Sequence, residues 1–306
     1  MSRLKRRLAK AQPADLVFLG YVLLSGLLVG IFGYRVGPTV WLGLSLAHAA
    51  LLAVGLWWSG RPLQDRTSGG FLRDIYPFLF IVYLYWELRY LALLFTTGYH
   101  DPLILRLEES LFGEQLAMTF SERVPNLWLS ELFHLSYAFY WVQLPLAAVA
   151  LYLRGRIAGF RELAYVELVV FFGCYLVFIF FPVAGPHYQF PVIDGPLAEG
   201  FFFQLVHAVL EDGGSKGAAF PSSHVAVAVT ILLVSWRHDR LVCGLMALPV
   251  IALTVGTVYG RFHYGVDALS GVLAAVILVS LARRMRPRLE AVTRKWAGNS
   301  GRGSPV

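Results

Sequence analysis

Cysteine is nearly absent from this chain. Its 306 residues include two, Cys174 and Cys243, both inside apolar runs, which excludes a disulfide framework. Charge is also scarce: Asp, Glu, Lys and Arg make up 15% of the residues, against about 25% in soluble globular domains. There is no internal repeat, no glycine-rich nucleotide-binding motif and no His-Glu-x-x-His helix. Nothing in the sequence therefore points to a nucleotide enzyme or a zinc peptidase.

Hydrophobic residues, at 57%, fill the space left by charge. They gather into runs of the roughly 17 to 25 residues that cross about 30 Å of hydrocarbon. Eight such runs are present: Leu16–Tyr34, Val40–Trp58, Ile75–Phe95, Leu127–Leu153, Leu163–Phe181, Ala218–Trp236, Leu241–Tyr259 and Tyr264–Ala282. The expected fold class is an all-α integral membrane protein of about eight transmembrane helices. In the sixth run the purely apolar part begins only at Val225, so Ala218–His224 is expected in the outer interface or lining a cavity. The first run follows basic residues Arg3 to Lys10, but it exceeds a signal core and no small-residue cleavage site follows it promptly.

Acidic residues are the rarer sign, 19 against 26 lysines and arginines, for a net charge of +7. If the N-terminus lies inside, the inner segments hold 20 of those 26 and the outer segments five. Basic loops stay in the cytoplasm, so both termini are expected there, in an integral plasma (inner) membrane. Charge spread along an inner membrane face suits anionic lipid headgroups as the partner, with no nucleic acid. Two long outer links remain. Thr96–Asn126 carries Leu103, Ile104, Leu107, Leu111 and Phe112 at the spacing of an amphipathic helix in the interface. Pro182–Ala219 is rich in Gly and Pro, and links of that length are usually functional or disordered.

Ionisable residues in a membrane are expensive, and here they converge on the outer ends of the last four runs. His263 and Asp267 stand four apart, so on a helix the carboxylate can hold one imidazole nitrogen and leave the other as base or nucleophile. Pro221-Ser222-Ser223-His224 reads as a helix start, whose free N–H groups favour an anion beside His224. His263 would then attack phosphorus while protonated His224 donates to the leaving oxygen. Arg261 and Lys216 are the nearby cations for phosphate, and Ser222, Ser223, His187 and Tyr188 complete the expected substrate-binding set. The bland readings are an interfacial anchor for a histidine beside a tyrosine, as in His187-Tyr188, and structural hydrogen bonding for His48 and His134. A two-histidine, one-carboxylate metal site is the weaker sharp reading, so no metal and no cofactor are expected. Glu87 and Arg89 are two apart and cannot face each other on a helix; an interhelical ion pair is the expected role of Arg89.

These residues resemble the type-2 phosphatidic acid phosphatase superfamily. Pro221-Ser222-Ser223-His224 matches its second motif, and His263 with Asp267 matches its third. The resemblance implies His263 as nucleophile, His224 as general acid and Asp267 as the residue that orients His263. It covers roughly residues 75–284 and implies a six-helix phosphatase-like core, leaving 1–74 as a basic N-terminus with two additional spans and 285–306 as a basic cytoplasmic tail. Two departures matter: the family's lysine and Arg-Pro motif is absent, and Thr257 stands where an arginine six residues before the histidine is usual. A phosphodiester needs fewer cations than a monoester. Asp101, Leu111-Phe112-Gly113, Tyr137, Gly185-Pro186 and Thr257-Val258-Tyr259 look more like the inositol phosphorylceramide synthase branch. That implies transfer of a phosphorylated headgroup from a phospholipid to a lipid alcohol at the outer, periplasmic face. The alternatives are a lipid phosphate or polyprenyl diphosphate phosphatase, and a non-catalytic lipid-binding protein.

Overall fold

The computed structural model of the chain describes residues 7–61 and 68–298. Two compact units divide it: Met1–Leu84 with Ala164–Val169 and Val279–Val306, and Tyr85–Leu163 with Val170–Leu278.

In the first unit, α1 (Pro13–Phe32) and α2 (Pro38–Ser59) each begin with proline in the first turn, where its missing N–H costs no helical bond. A short 3-10 turn, Gly33–Val36, reverses the chain between them, and α3 (Ser68–Ile75) follows. Asp15 is fully buried, and a buried carboxylate must be paired. Arg73 supplies both guanidinium arms at 2.9 and 2.5 Å, and the Tyr76 hydroxyl adds a bond of 2.9 Å. His48 bonds the Ser25 hydroxyl and the Leu44 carbonyl, both at 2.9 Å, in the structural role its sequence suggests.

The second unit holds α4 (Asp101–Phe112), α5 (Leu116–Arg123), α6 (Leu127–Leu153), most of α7 (Ile157–Phe180), α8 (Phe201–Gly213), α9 (Ser223–His238), α10 (Arg240–Tyr259) and the first turns of α11 (Gly265–Gly298). Helix α6 packs against α8, α9 and α10, and α9 packs against α10. Among the described residues the only β-pairing is an isolated parallel bridge between Val183 and Ala218.

The chain is an all-α integral membrane protein, and six described helices are long and apolar enough to cross a bilayer. The other two expected spans take different forms. Ile75–Phe95 is broken into a 3-10 turn, Tyr76–Phe80, and two short helices, Ile81–Trp86 and Leu88–Leu91. Pro77 stands in the first of these pieces and cannot donate to a helical ladder. The sixth run becomes helical only at Ser223, where Ser222 caps it; its 16 residues rise about 24 Å.

One end of the second unit is tied by charge. Arg154 and Arg156 reach Asp239 at 2.6 and 3.3 Å, and the other Asp239 oxygen caps α10 through the N–H groups of Leu241 and Val242. His238 meets Glu162 at 2.8 Å beside them. The histidine motifs stand at the opposite ends of the same helices: His224 opens α9, and His263 follows the last turn of α10.

Candidate active site

His263 lies in a tight turn between α10 and α11. The Thr257 carbonyl accepts from both Phe262 and His263 N–H at 2.9 Å, which folds the chain back after α10. Arg261, inside that turn, has φ of 60°, a left-handed conformation that a non-glycine residue holds only when its surroundings demand it. Its guanidinium meets that demand, donating to the Pro191 carbonyl at 2.7 Å, the Met118 carbonyl at 3.1 Å and Glu122 at 2.8 Å. Arg261, expected from the sequence among the phosphate-binding residues, thus braces the turn through its two terminal nitrogens, while its Nε is buried without an acceptor among the described residues.

The imidazole of His263 is buried, with its two nitrogens facing different partners. Nδ1–H points to the Ala219 carbonyl at 3.0 Å, while the Asp267 carboxylate stands 3.5 Å from the same nitrogen. Asp267 spends its nearer oxygen on the Tyr264 N–H at 2.9 Å. The tautomer is thus fixed by a backbone carbonyl with Asp267 behind it, a division of labour that four-residue spacing alone does not reveal. Nε2 is left with its lone pair and faces His224 Nδ1 at 3.3 Å. His224 Nε2 meets the Tyr137 hydroxyl at 3.2 Å, and the Tyr137 ring stacks on the His224 ring with centroids 4.9 Å apart. One assignment satisfies every contact: Tyr137 O–H donates to His224, His224 Nδ1–H donates to His263, and His263 Nδ1–H donates to Ala219. Burial pushes the His263 imidazole down to about 4, against a smaller opposite effect of the Ala219 carbonyl. The imidazole is neutral at ordinary pH.

The two long links, Thr96–Asn126 and Pro182–Ala219, hold this arrangement from behind. Ala219 N–H donates to the Val183 carbonyl at 3.0 Å, and Val183 N–H donates to Gly217 at 3.2 Å, so the Ala219 carbonyl has a fixed direction. Gly185 has φ of 98°, and a Cβ there would come within 2.9 Å of the Ala219 side chain; only glycine suits it. Asp101 accepts the N–H groups of Ala184 and Gly185 at 2.7 and 2.9 Å and the Tyr264 hydroxyl at 2.9 Å. Glu108 accepts the Gly265 and Val266 N–H groups at 3.0 and 2.9 Å, at the start of α11. Burial raises the Glu108 carboxyl, while the N–H groups of Leu116 and Ala117 join those two in lowering it. The expected amphipathic helix is present as α4, but its inward stripe is Asp101, Ile104 and Glu108, while Leu103, Leu107 and Leu111 face outward.

A cavity lined by Tyr85, Tyr137, His187, Tyr188, His224 and His263, among others, opens onto the histidine pair. Residues 103–281, more than half of the chain, match the PAP2 superfamily. The chain belongs to the PAP2 superfamily. Membership supports a phosphatase-type lipid enzyme in general terms, with a lipid phosphate as substrate class. No curated protein and no solved structure matches the chain.

The two motifs that carry the superfamily resemblance are therefore side by side in space. Ser222 caps α9 by accepting the Val225 N–H at 3.3 Å, and its own N–H donates to the Asp267 carbonyl at 3.0 Å, joining the second motif to the third. Ser223 is buried next to it. His187 and Tyr188 line the cavity, and burial pushes the His187 imidazole down. Lys216 extends over the Tyr99 and Tyr188 rings at 5.1 and 5.3 Å. Asp267 and His224 approach opposite nitrogens of the His263 ring, so the three side chains do not converge on one point as metal ligands would. Behind the cavity, the ring centroids of His134 and His187 each lie 5.8 Å from His207, a cluster that the sequence gave no spacing to find. His134 Nδ1 bonds the Ser130 carbonyl at 2.7 Å, a structural bond of the kind expected for it.

Proposed function

We propose that the protein is a membrane lipid phosphotransferase that works through a phosphohistidine on His263, most closely in the manner of inositol phosphorylceramide synthases. The observation that carries this reading is the 3.3 Å contact between His263 Nε2 and His224 Nδ1, with the Ala219 carbonyl on His263 Nδ1 assigning the lone pair to Nε2 and the facing proton to His224. In the first step Nε2 forms a bond to phosphorus and the bond from phosphorus to the leaving oxygen breaks. His224 takes up a second proton as the anionic substrate binds, which turns the Tyr137 hydroxyl from donor to acceptor at Nε2, and then gives its Nδ1 proton to that oxygen. A lipid hydroxyl then attacks phosphorus, its proton passes to His224, and the nitrogen–phosphorus bond breaks. Water in place of the alcohol makes the same site a phosphatase. Asp267 stabilises the charge that develops on His263 during attack.

The site faces the outside of the plasma membrane and both termini lie in the cytoplasm. Support comes from the charge count and from the arginine cluster at residues 154, 156, 237 and 240, which lies at the other end of the helices that carry the histidines.

The test uses detergent-solubilised protein and phosphorus-labelled phosphatidylinositol with ceramide or diacylglycerol. Wild type should acquire an acid-labile label and form a new phospholipid, and His263→Ala should do neither. Equal labelling of both proteins would overturn the mechanism. Release of inorganic phosphate from phosphatidate or polyprenyl diphosphate, with no product from any donor and acceptor pair, would make the enzyme a phosphatase.

A further inference from the structure

With both terminal nitrogens of Arg261 bonded within the turn and to Glu122, the phosphoryl group still needs a cation whose terminal nitrogens are less engaged. Arg89 is well placed for that role. Its only hydrogen bond among the described residues is a long one, 3.4 Å to the Gly214 carbonyl, and its Nε is buried without an acceptor. The Trp86 ring lies against the guanidinium at 5.2 Å. Next to Gly214, Ser215 is 6% exposed, and its hydroxyl has no partner among the described residues. Gly214 and Ser215 both line the cavity that holds His224 and His263. A Cβ at Gly214 would come within 3.0 Å of the Tyr188 hydroxyl, so glycine is what lets this backbone approach the cavity wall. Lys216 follows directly, held loosely over two tyrosine rings.

A buried donor without an acceptor is costly, and a ligand that supplies acceptors removes the cost. Three groups in this condition or with a free charge, on one short segment and the arginine bonded to it, share one chemistry: all donate to anionic oxygen. We infer that Arg89, Ser215 and Lys216 form the subsite that holds the charged oxygens of the phosphoryl group, an assignment that rests on the phosphohistidine reading. The guanidinium presents a planar fork suited to two phosphate oxygens, Ser215 donates a single hydroxyl, and Lys216 adds a mobile charge at the rim. This subsite takes the place of the family cations that the sequence lacks.

The experiment measures binding of inorganic phosphate and orthovanadate to the full-length protein in detergent by calorimetry. Arg89→Gln should weaken phosphate about tenfold or more, the effect of losing a charge-assisted pair. Arg89→Lys should recover part of the loss. Lys216→Ala should weaken it less, with a reduced dependence on salt. Ser215→Ala removes a hydroxyl that has no partner among the described residues, so it should keep or raise the thermal unfolding midpoint while still weakening phosphate. A purely structural serine would not separate those two readouts. His263→Ala should still bind phosphate. Wild-type affinity in both Arg89→Gln and Lys216→Ala would overturn the subsite. If Arg89→Gln fails to fold, the exposed Lys216 and the Ser215 variant decide it. Loss of the subsite leaves His263 labelling as an independent measure, so failure here and failure of the phosphohistidine reading are told apart.

Discussion

Replacing Glu108 tests whether a carboxylate on α4 sets the geometry of His263, the nucleophile of the proposed mechanism. Its oxygens receive the N–H groups of Gly265 and Val266 at 3.0 and 2.9 Å, and Gly265 is two residues from His263. Each hydrogen bond to a charged group contributes about 1.5 to 3 kcal/mol, so Glu108→Ala, which leaves both donors buried without acceptors, should destabilise the second unit by about 3 kcal/mol or more. Glu108→Gln keeps one carbonyl oxygen and should cost about half as much. The effect on turnover should exceed the effect on binding, because a displacement of about 1 Å in a reacting atom can cost roughly 10²-fold. The assay is formation of the acid-labile phosphoenzyme in single-turnover mode, with thermal unfolding of the same preparations as the control. For Glu108→Gln the labelling rate should fall at least tenfold, while the affinity for inorganic phosphate changes little. A variant that unfolds earlier yet labels at the wild-type rate would refute the reasoning, because Glu108 would then hold α11 without aligning His263.

Tyr137→Phe keeps the stacked ring but removes the 3.2 Å bond to His224, so turnover should fall about fivefold to tenfold with little change in unfolding temperature; an unchanged rate would remove Tyr137 from the relay. The His263 imidazole is held at about 4 against an ordinary value near 6.5, so its contribution to stability is complete above pH 6.5 and disappears as pH falls toward 4. His263→Gln cannot titrate, and its unfolding temperature should fall less between pH 7 and pH 4.5 than that of wild type, a difference of up to about 3 kcal/mol. Gly98 and Arg237 are both exposed, and the native Cys174 and Cys243 are buried. A cysteine at Gly98 should react with an impermeant thiol reagent added outside intact cells, and one at Arg237 should not; the reverse pattern would turn the site toward the cytoplasm.

Length and hydropathy determined that this chain lives in a membrane, because apolar runs of span length have no other stable environment. Local spacing determined the two histidine motifs for a similar reason: Ser222 caps its own helix, and His263 and Asp267 lie within one turn of each other, so a few neighbouring residues specify the arrangement. What sequence could not supply is anything set by a partner far along the chain. Glu108 sits among leucines with nothing nearby in the sequence to mark it, yet it is buried and accepts from two N–H groups 157 and 158 residues away. Arg261 stands two residues from His263 and reads as a phosphate cation, yet its guanidinium is drawn to carbonyls 70 and 143 residues away. Arg89 reads as half of an ion pair, and only folding brings it beside Gly214, 125 residues on. The third apolar run has the length of a span but not the continuous helix, since hydropathy averages over Pro77 and backbone geometry does not. Hydrophobic transfer is a property of composition and can be summed along a sequence; the direction of a buried donor depends on which acceptor the fold brings within 3 Å, and tertiary structure alone decides that.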